Sequence, residues 1–118
     1  MKIAYSEEAD MINQEKARNR FLLNQVNYAT EILRHFGFVI NLTDIRLAVL
    51  ALLKAELPES PEHYVLLIFG WTGIIQVSLH NAIQEDAIAT WQIPQKSLPT
   101  VLQSANALVN ELSAFVLN

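Results

Sequence analysis

"IRLAVLALLKAEL", Ile45 to Leu57, is the stretch on which the architecture turns. Leucine, alanine, lysine and glutamate are all good helix formers. Asn41 or Thr43 just upstream offers a capping oxygen, Asp44 places an acid in the first turn, and Pro58 stops the chain's helical path. These signals predict a helix over 43–57. Its apolar residues Ile45, Leu47, Val49, Leu50, Leu52, Leu53 and Leu57 cannot share one narrow stripe. Such a helix is either central to the fold or covered twice, once by its own domain and once by a partner.

A longer helix is expected before it, from about Glu7 to Phe36, with Ser6 as N-cap, acids in the first turn and Gly37 as C-cap. Leu22, Val26, Ala29, Leu33 and Phe36 step by four and three and form one seam, widened on one flank by Phe21, Tyr28 and Ile32. Residues 13–20, "NQEKARNR", are nearly all polar, so the part before about residue 20 is expected to project or fray.

Sheet signals follow the second helix. "PESPEHY" reads as a loop, because two prolines three residues apart fit neither a helix nor a central strand. "YVLLIF" is a continuous apolar run, as in a strand covered on both faces. "IIQVSLH" alternates, with Ile75, Val77 and Leu79 on one side and Gln76, Ser78 and His80 on the other. A third strand, Ala87 to Ile93, is expected after the polar turn "QED". "KSLPT" opens a last helix, with Ser97 or Leu98 at the cap and Pro99 in the first turn. Its apolar face is Val101, Leu102, Ala105, Leu108, Val109, Leu112 and Val116. The opposite face, Gln103, Ser104, Asn106 and Asn110, is almost uncharged, which fits a second contact surface.

The expected fold is therefore a single two-layer α+β domain over 1–118, with helices packed on a small antiparallel three-stranded sheet in the order α-α-β-β-β-α. Two sheet edges and the second face of "YVLLIF" would need cover, and homodimerisation through sheet or helices would supply it.

Composition narrows the function classes. The chain has no cysteine, which excludes disulfides, thiol catalysis and thiolate metal sites and suits a reducing compartment. The N-terminal "MKIAYSEEADMINQEK" has no apolar run of signal-peptide length, and the expected location is the cytoplasm. Residues 64–84 carry no Asp, Glu, Lys or Arg, but Gln76, Ser78, His80, Asn81 and Gln84 argue against a membrane span. A formal charge of −4 disfavours phosphate backbones, and the basic cluster Lys16, Arg18 and Arg20 is interleaved with Glu15 and amides. Neither nucleic acid nor membrane is an expected partner. Apolar residues make up 52% and charged residues 17%, against roughly 45 to 50% and about 25% in ordinary domains. A domain of 118 residues has limited interior, so part of that apolar surface is expected to lie outside and be covered by another chain.

No reactive constellation emerges. His35, His63 and His80 lie in separate elements, so no metal site is expected. The acidic doublets fall at a helix start and in loops, and no serine sits in a nucleophile elbow. "GWTG", Gly70 to Gly73, lacks the lysine and following helix of a phosphate loop, and its glycines read as hairpin closers that supply positive φ angles. Trp71 at that tip is either a partner's anchor or a staple on neighbours such as Pro61 or Trp91, with the staple favoured. The resulting expectation is a non-enzymatic intracellular protein-binding module, homodimeric, of the adaptor, small-chaperone, inhibitor or assembly-subunit kind. Its partner is itself or another protein, it has no catalytic, cofactor or metal residues, and its candidate contacts are Trp71, Trp91, Tyr64, Leu47 and Leu50. The competing expectation is a small-ligand sensor or small enzyme with a pocket between helices and sheet, using His80, Gln76 or Tyr28 as polar groups.

Overall fold

The computed structural model describes residues 2–46 and 50–117, with side chains from residue 14 to 112 apart from 15, 45–49 and 85. Helix α1 (Lys2–His35) leads into five strands, β1 (Val39–Arg46), β2 (Leu50–Leu57), β3 (Ser60–Phe69), β4 (Ile74–Asn81) and β5 (Gln84–Pro94). A short 3-10 turn, Gln95–Ser97, then opens helix α2 (Leu98–Leu117). The strands form one antiparallel meander in the order β1-β2-β3-β4-β5, with both helices against one face.

This corrects the expected fold in strand number and element order. The sheet has five strands where three were expected, and the order is α-β-β-β-β-β-α. The error lies in the helix expected over 43–57, whose described residues belong to β1 and β2. Along β2, Ala51, Leu53, Ala55 and Leu57 are buried while Leu50, Leu52, Lys54 and Glu56 are half-covered. Leucine stands on both faces, so the two-residue period is hidden, and the helix-forming composition is overridden by pairing with β1 and β3. Of the contact candidates in this stretch, Leu47 lies outside the described residues and Leu50 begins β2.

Two strand boundaries also differ, each for a local reason. The β2–β3 turn is Pro58–Glu59, and β3 starts at Ser60 and contains Pro61. The register slips there, so that Leu57 faces Ser60 while Glu56 faces Tyr64. A bulge is one of the few places in a sheet where a proline's missing N–H leaves no gap in the ladder. At the β4–β5 hairpin, Asn81 Oδ1 accepts from Ile83 N at 2.9 Å, closing an Asx turn over Ala82–Ile83. Residues 84–86, expected as a turn, are thereby free to extend β5.

Helix α1 ends as its sequence predicts. Gly37 has φ +83°, Phe38 N donates to Leu33 O at 2.9 Å and Gly37 N to Arg34 O at 3.0 Å, the paired bonds of a Schellman cap. Leu22, Val26, Ala29 and Leu33 are buried, as the seam predicts, and α1 lies on β1, β2 and β3. Its described core residues begin at Leu22, although the helix runs 34 residues and the molecule is 74 Å long. Helix α2 contributes Leu98, Val101, Leu102, Ala105 and Val109 to the same core and contacts β5. The sheet supplies Val65, Leu67 and Phe69 from β3 and Ile75, Val77 and Leu79 from β4. Among the described residues no helix is long and apolar enough to cross a membrane, and residues 64–84 include the β3–β4 hairpin.

Two substitutions test this fold. Leu53→Thr, on the buried face, is expected to cost about 2 to 4 kcal/mol, whereas Leu52→Thr is expected to cost less than about 1, both read from urea unfolding. Comparable losses at the two positions would contradict the strand. Gly37→Ala meets both an unfavourable φ and a Cβ only 3.3 Å from Pro58 Cβ. It should cost about 1 to 2 kcal/mol in the same assay.

Candidate functional site

The alternation that buries one face of the sheet leaves a second face with no helix on it. Register places Asp44, Leu52, Ile68, Gln76 and Gln92 in one row across all five strands. Leu42, Lys54, Leu66, Ser78 and Thr90 form the next, followed by Val39, Glu56, Tyr64, His80 and Ala87. Leu50 and Ile74 extend the same face at one end. Leucine and isoleucine thus concentrate on β2 and β3, with Leu42 and Ile74 at the margin, 48% and 43% exposed. Leu50, Leu52, Leu66 and Ile68 remain partly open to solvent. An apolar centre with polar groups around it is the anatomy of a protein-contact surface.

Polar side chains on this face are organised by stacking. The Tyr64 ring lies parallel to His80, with centroids 5.1 Å apart and planes 10° from parallel, and Lys54 Nζ sits 4.3 Å from the Tyr64 centroid. A cation above an aromatic ring is attracted by its quadrupole, which favours this position for Lys54. Both ring nitrogens of His80 are shielded from solvent and make no hydrogen bond. Ser78 is buried, and its hydroxyl donates a long bond, 3.5 Å, to Leu66 O. At the β1 edge, Asn41 Nδ2 donates to Glu56 Oε1 at 2.7 Å, with Asn41 at the register shift between Ile40 and Leu42.

The contact candidates read from the sequence separate in space. Tyr64 and Leu50 belong to the helix-free face. Trp91 pairs with Val77 on the opposite face and packs against the core beneath the helices. Trp71 stands at the β3–β4 hairpin tip, where the Arg18 guanidinium lies 4.1 Å from its ring centroid. Gln25, 2% exposed on α1, donates through Nε2 to Gly70 O at 3.4 Å and holds the same hairpin to the helix. Trp71 thus packs against Arg18, while 42% of it stays exposed. Of the two glycines, only Gly73 uses a positive φ, +82°.

His80, Gln76 and Tyr28, expected to converge in a pocket, do not: two lie on the open sheet face and Tyr28 packs against the core from α1. A cleft of about 310 Å³ lies elsewhere, where the end of α1, the β2–β3 turn and α2 meet. Phe36, Leu57, Pro58 and Val109 give it apolar walls, and Glu59, Ser60, Asn106 and Asn110 give it polar groups. Ser60 Oγ and His63 Nδ1 are 2.7 Å apart across the β3 bulge. Among the described residues no three His, Asp or Glu side chains gather where they could hold a metal ion.

Compared with known proteins, the chain matches no family, no curated protein and no solved structure. Its site is therefore defined by its own geometry. The partly exposed apolar residues of this face that the sequence reading did not single out are Leu42, Leu66, Ile68 and Ile74. The unbroken apolarity of "YVLLIF" carried the signal, since a strand whose two faces are both apolar needs two covers.

The Arg18–Trp71 contact is measurable by a double-mutant cycle. Arg18→Ala and Trp71→Ala are expected to show a coupling of about 0.5 to 1 kcal/mol in unfolding free energy. A coupling of zero would remove the staple.

Proposed function

We propose that this chain is a non-enzymatic protein-binding module working in the cytoplasm, and that the helix-free face of its sheet is the surface that binds. The observation that carries this reading is the apolar centre on β2 and β3, open to solvent and bordered by Lys54, Glu56, Gln76 and Thr90. Flat, partly hydrated leucine and isoleucine side chains gain from a partner that removes them from water, about 25 cal/mol per Å² of apolar area. The excess of apolar over charged residues supports the same reading, as does the absence of cysteine for the compartment. A ligand sensor or small enzyme has the 310 Å³ cleft in its favour. The polar groups that reading relied on, His80, Gln76 and Tyr28, do not line the cleft, and small-ligand sites depend on convergence of such groups.

Site-specific photocrosslinking tests the proposal. A benzophenone side chain at Ile68 is expected to yield a light-dependent adduct with a second protein chain in the cell of origin. The same probe at Gln103, exposed on α2, should not. No adduct from Ile68, or equal adducts from both positions, would overturn the assignment of this face.

A further inference from the structure

We propose that the cleft between the end of α1, the β2–β3 turn and α2 is a binding site for a small organic cation, a primary ammonium group carried on a short apolar body. This site goes beyond the protein-binding reading and stands apart from it, because the cleft lies on the side of the sheet that holds both helices. Shape is the first argument. Leu57 on β2 and Val109 on α2 are buried, and the half-buried Phe36 joins them in an apolar wall. Pro58 completes that wall and is held close to the end of α1: a Cβ on Gly37 would lie only 3.3 Å from Pro58 Cβ. Glycine permits so close an approach, which fixes the turn against the helix. A volume of about 310 Å³ is at the small end of ligand sites. The body it admits is a single ring or a short branched chain.

Charge is the second argument. Among the described residues that line the cleft, Glu59 is the one that carries a charge. Phe36 directly follows α1, so the negative pole of that helix dipole adjoins the same space. Arg34 and His35 in the last turn of α1 are exposed and do not line the cleft, and α2 has no lysine or arginine to compete for Glu59. An anion is disfavoured there and a cation is attracted.

Hydrogen bonding selects the kind of cation. Ser60 Oγ lies 2.7 Å from His63 Nδ1. With the imidazole proton on Nε2, Nδ1 accepts from the Ser60 hydroxyl, and the Ser60 oxygen keeps its lone pairs for the cleft. Asn106 and Asn110, about one helical turn apart on α2, bring side-chain amides to the other wall. A primary ammonium has three donors and no acceptor, which suits a carboxylate, a hydroxyl and amide oxygens. A quaternary ammonium offers no donor and depends on a cage of aromatic faces, whereas Phe36 is the one ring among the described lining residues.

The test is titration of the full chain with phenethylammonium chloride, read by calorimetry and by heteronuclear NMR. The side-chain amide signals of Asn106 and Asn110 and the backbone amides of Glu59 and Ser60 are expected to shift together, with a dissociation constant of about 1 mM. The alcohol 2-phenylethanol, similar in size but uncharged, should bind at least tenfold more weakly, and so should phenethylammonium to Glu59→Gln. Glu59 and Asn110 are both exposed, and circular dichroism checks that their variants fold. Asn110→Ala supplies an independent loss of about threefold or more. Nα-acetyl-lysine amide, which presents an ammonium as a protein's lysine would, is expected to bind more weakly than phenethylammonium. Tighter binding of that probe would overturn the small free amine in favour of a lysine side chain. Equal affinity for the amine and the alcohol, or unchanged binding to both folded variants, would overturn the cation site. Absence of binding at about 20 mM, or shifts that leave the cleft residues unmoved, would overturn it as well.

Discussion

Two helices cannot cover two faces of a five-stranded sheet when both lie on the same side, and this constraint governs the molecule. Inward-pointing residues of β2, β3 and β4, from Ala51 through Leu79, fill the space beneath α1 and α2 and form the single described core. Every strand residue that points inward has a neighbour that points outward, so the apolar residues left over must lie on the open face. Leu52, Leu66 and Ile68 are there for that reason. Their position follows from pleating, and their chemistry is the reason the open face is the proposed contact surface.

The tie between α1 and the sheet is made at both ends of the packed segment of the helix. At one end, the Schellman cap at Gly37 turns Phe38 into the core beside Leu33 and sets the direction in which β1 departs. At the other, Arg18 and Gln25 hold the β3–β4 hairpin through Trp71 and Gly70. Between these points the buried seam from Leu22 to Leu33 is fixed in register. The tryptophan at the hairpin tip thus lies against Arg18, and the proposed binding surface is the helix-free face of the sheet.

Edges and bulges shape that surface. The register shifts at Asn41, at Pro61 and near the β4–β5 turn all lie toward one end of the strands. The central rows through Leu52, Ile68, Lys54 and Leu66 stay regular. The centre of that face is regularly pleated, and bulged ends of this kind discourage edge-to-edge growth.

The sequence by itself determined the elements whose signals are local. The seam of α1 with its Gly37 cap, the alternation of "IIQVSLH", the hairpin at "GWTG" and the Pro99 start of α2 all lie within a few residues of the groups that cause them. It also carried the excess of apolar residues and the double-sided apolarity of "YVLLIF". Tertiary structure decided the rest. Residues 50–57 have the composition of a helix and became a strand because β1 and β3 offered hydrogen-bonding partners on both sides, a non-local gain that no window of the sequence contains. Pro61 became a strand residue because the register slipped around it, and Trp91 went inward because its strand pairs in register with Val77. The candidate surface likewise came from register: Leu52, Leu66 and Ile68 are 2 to 16 residues apart along the chain. They adjoin only because β2 and β3 pair, and a pairing register is fixed by the core on the other side of the sheet.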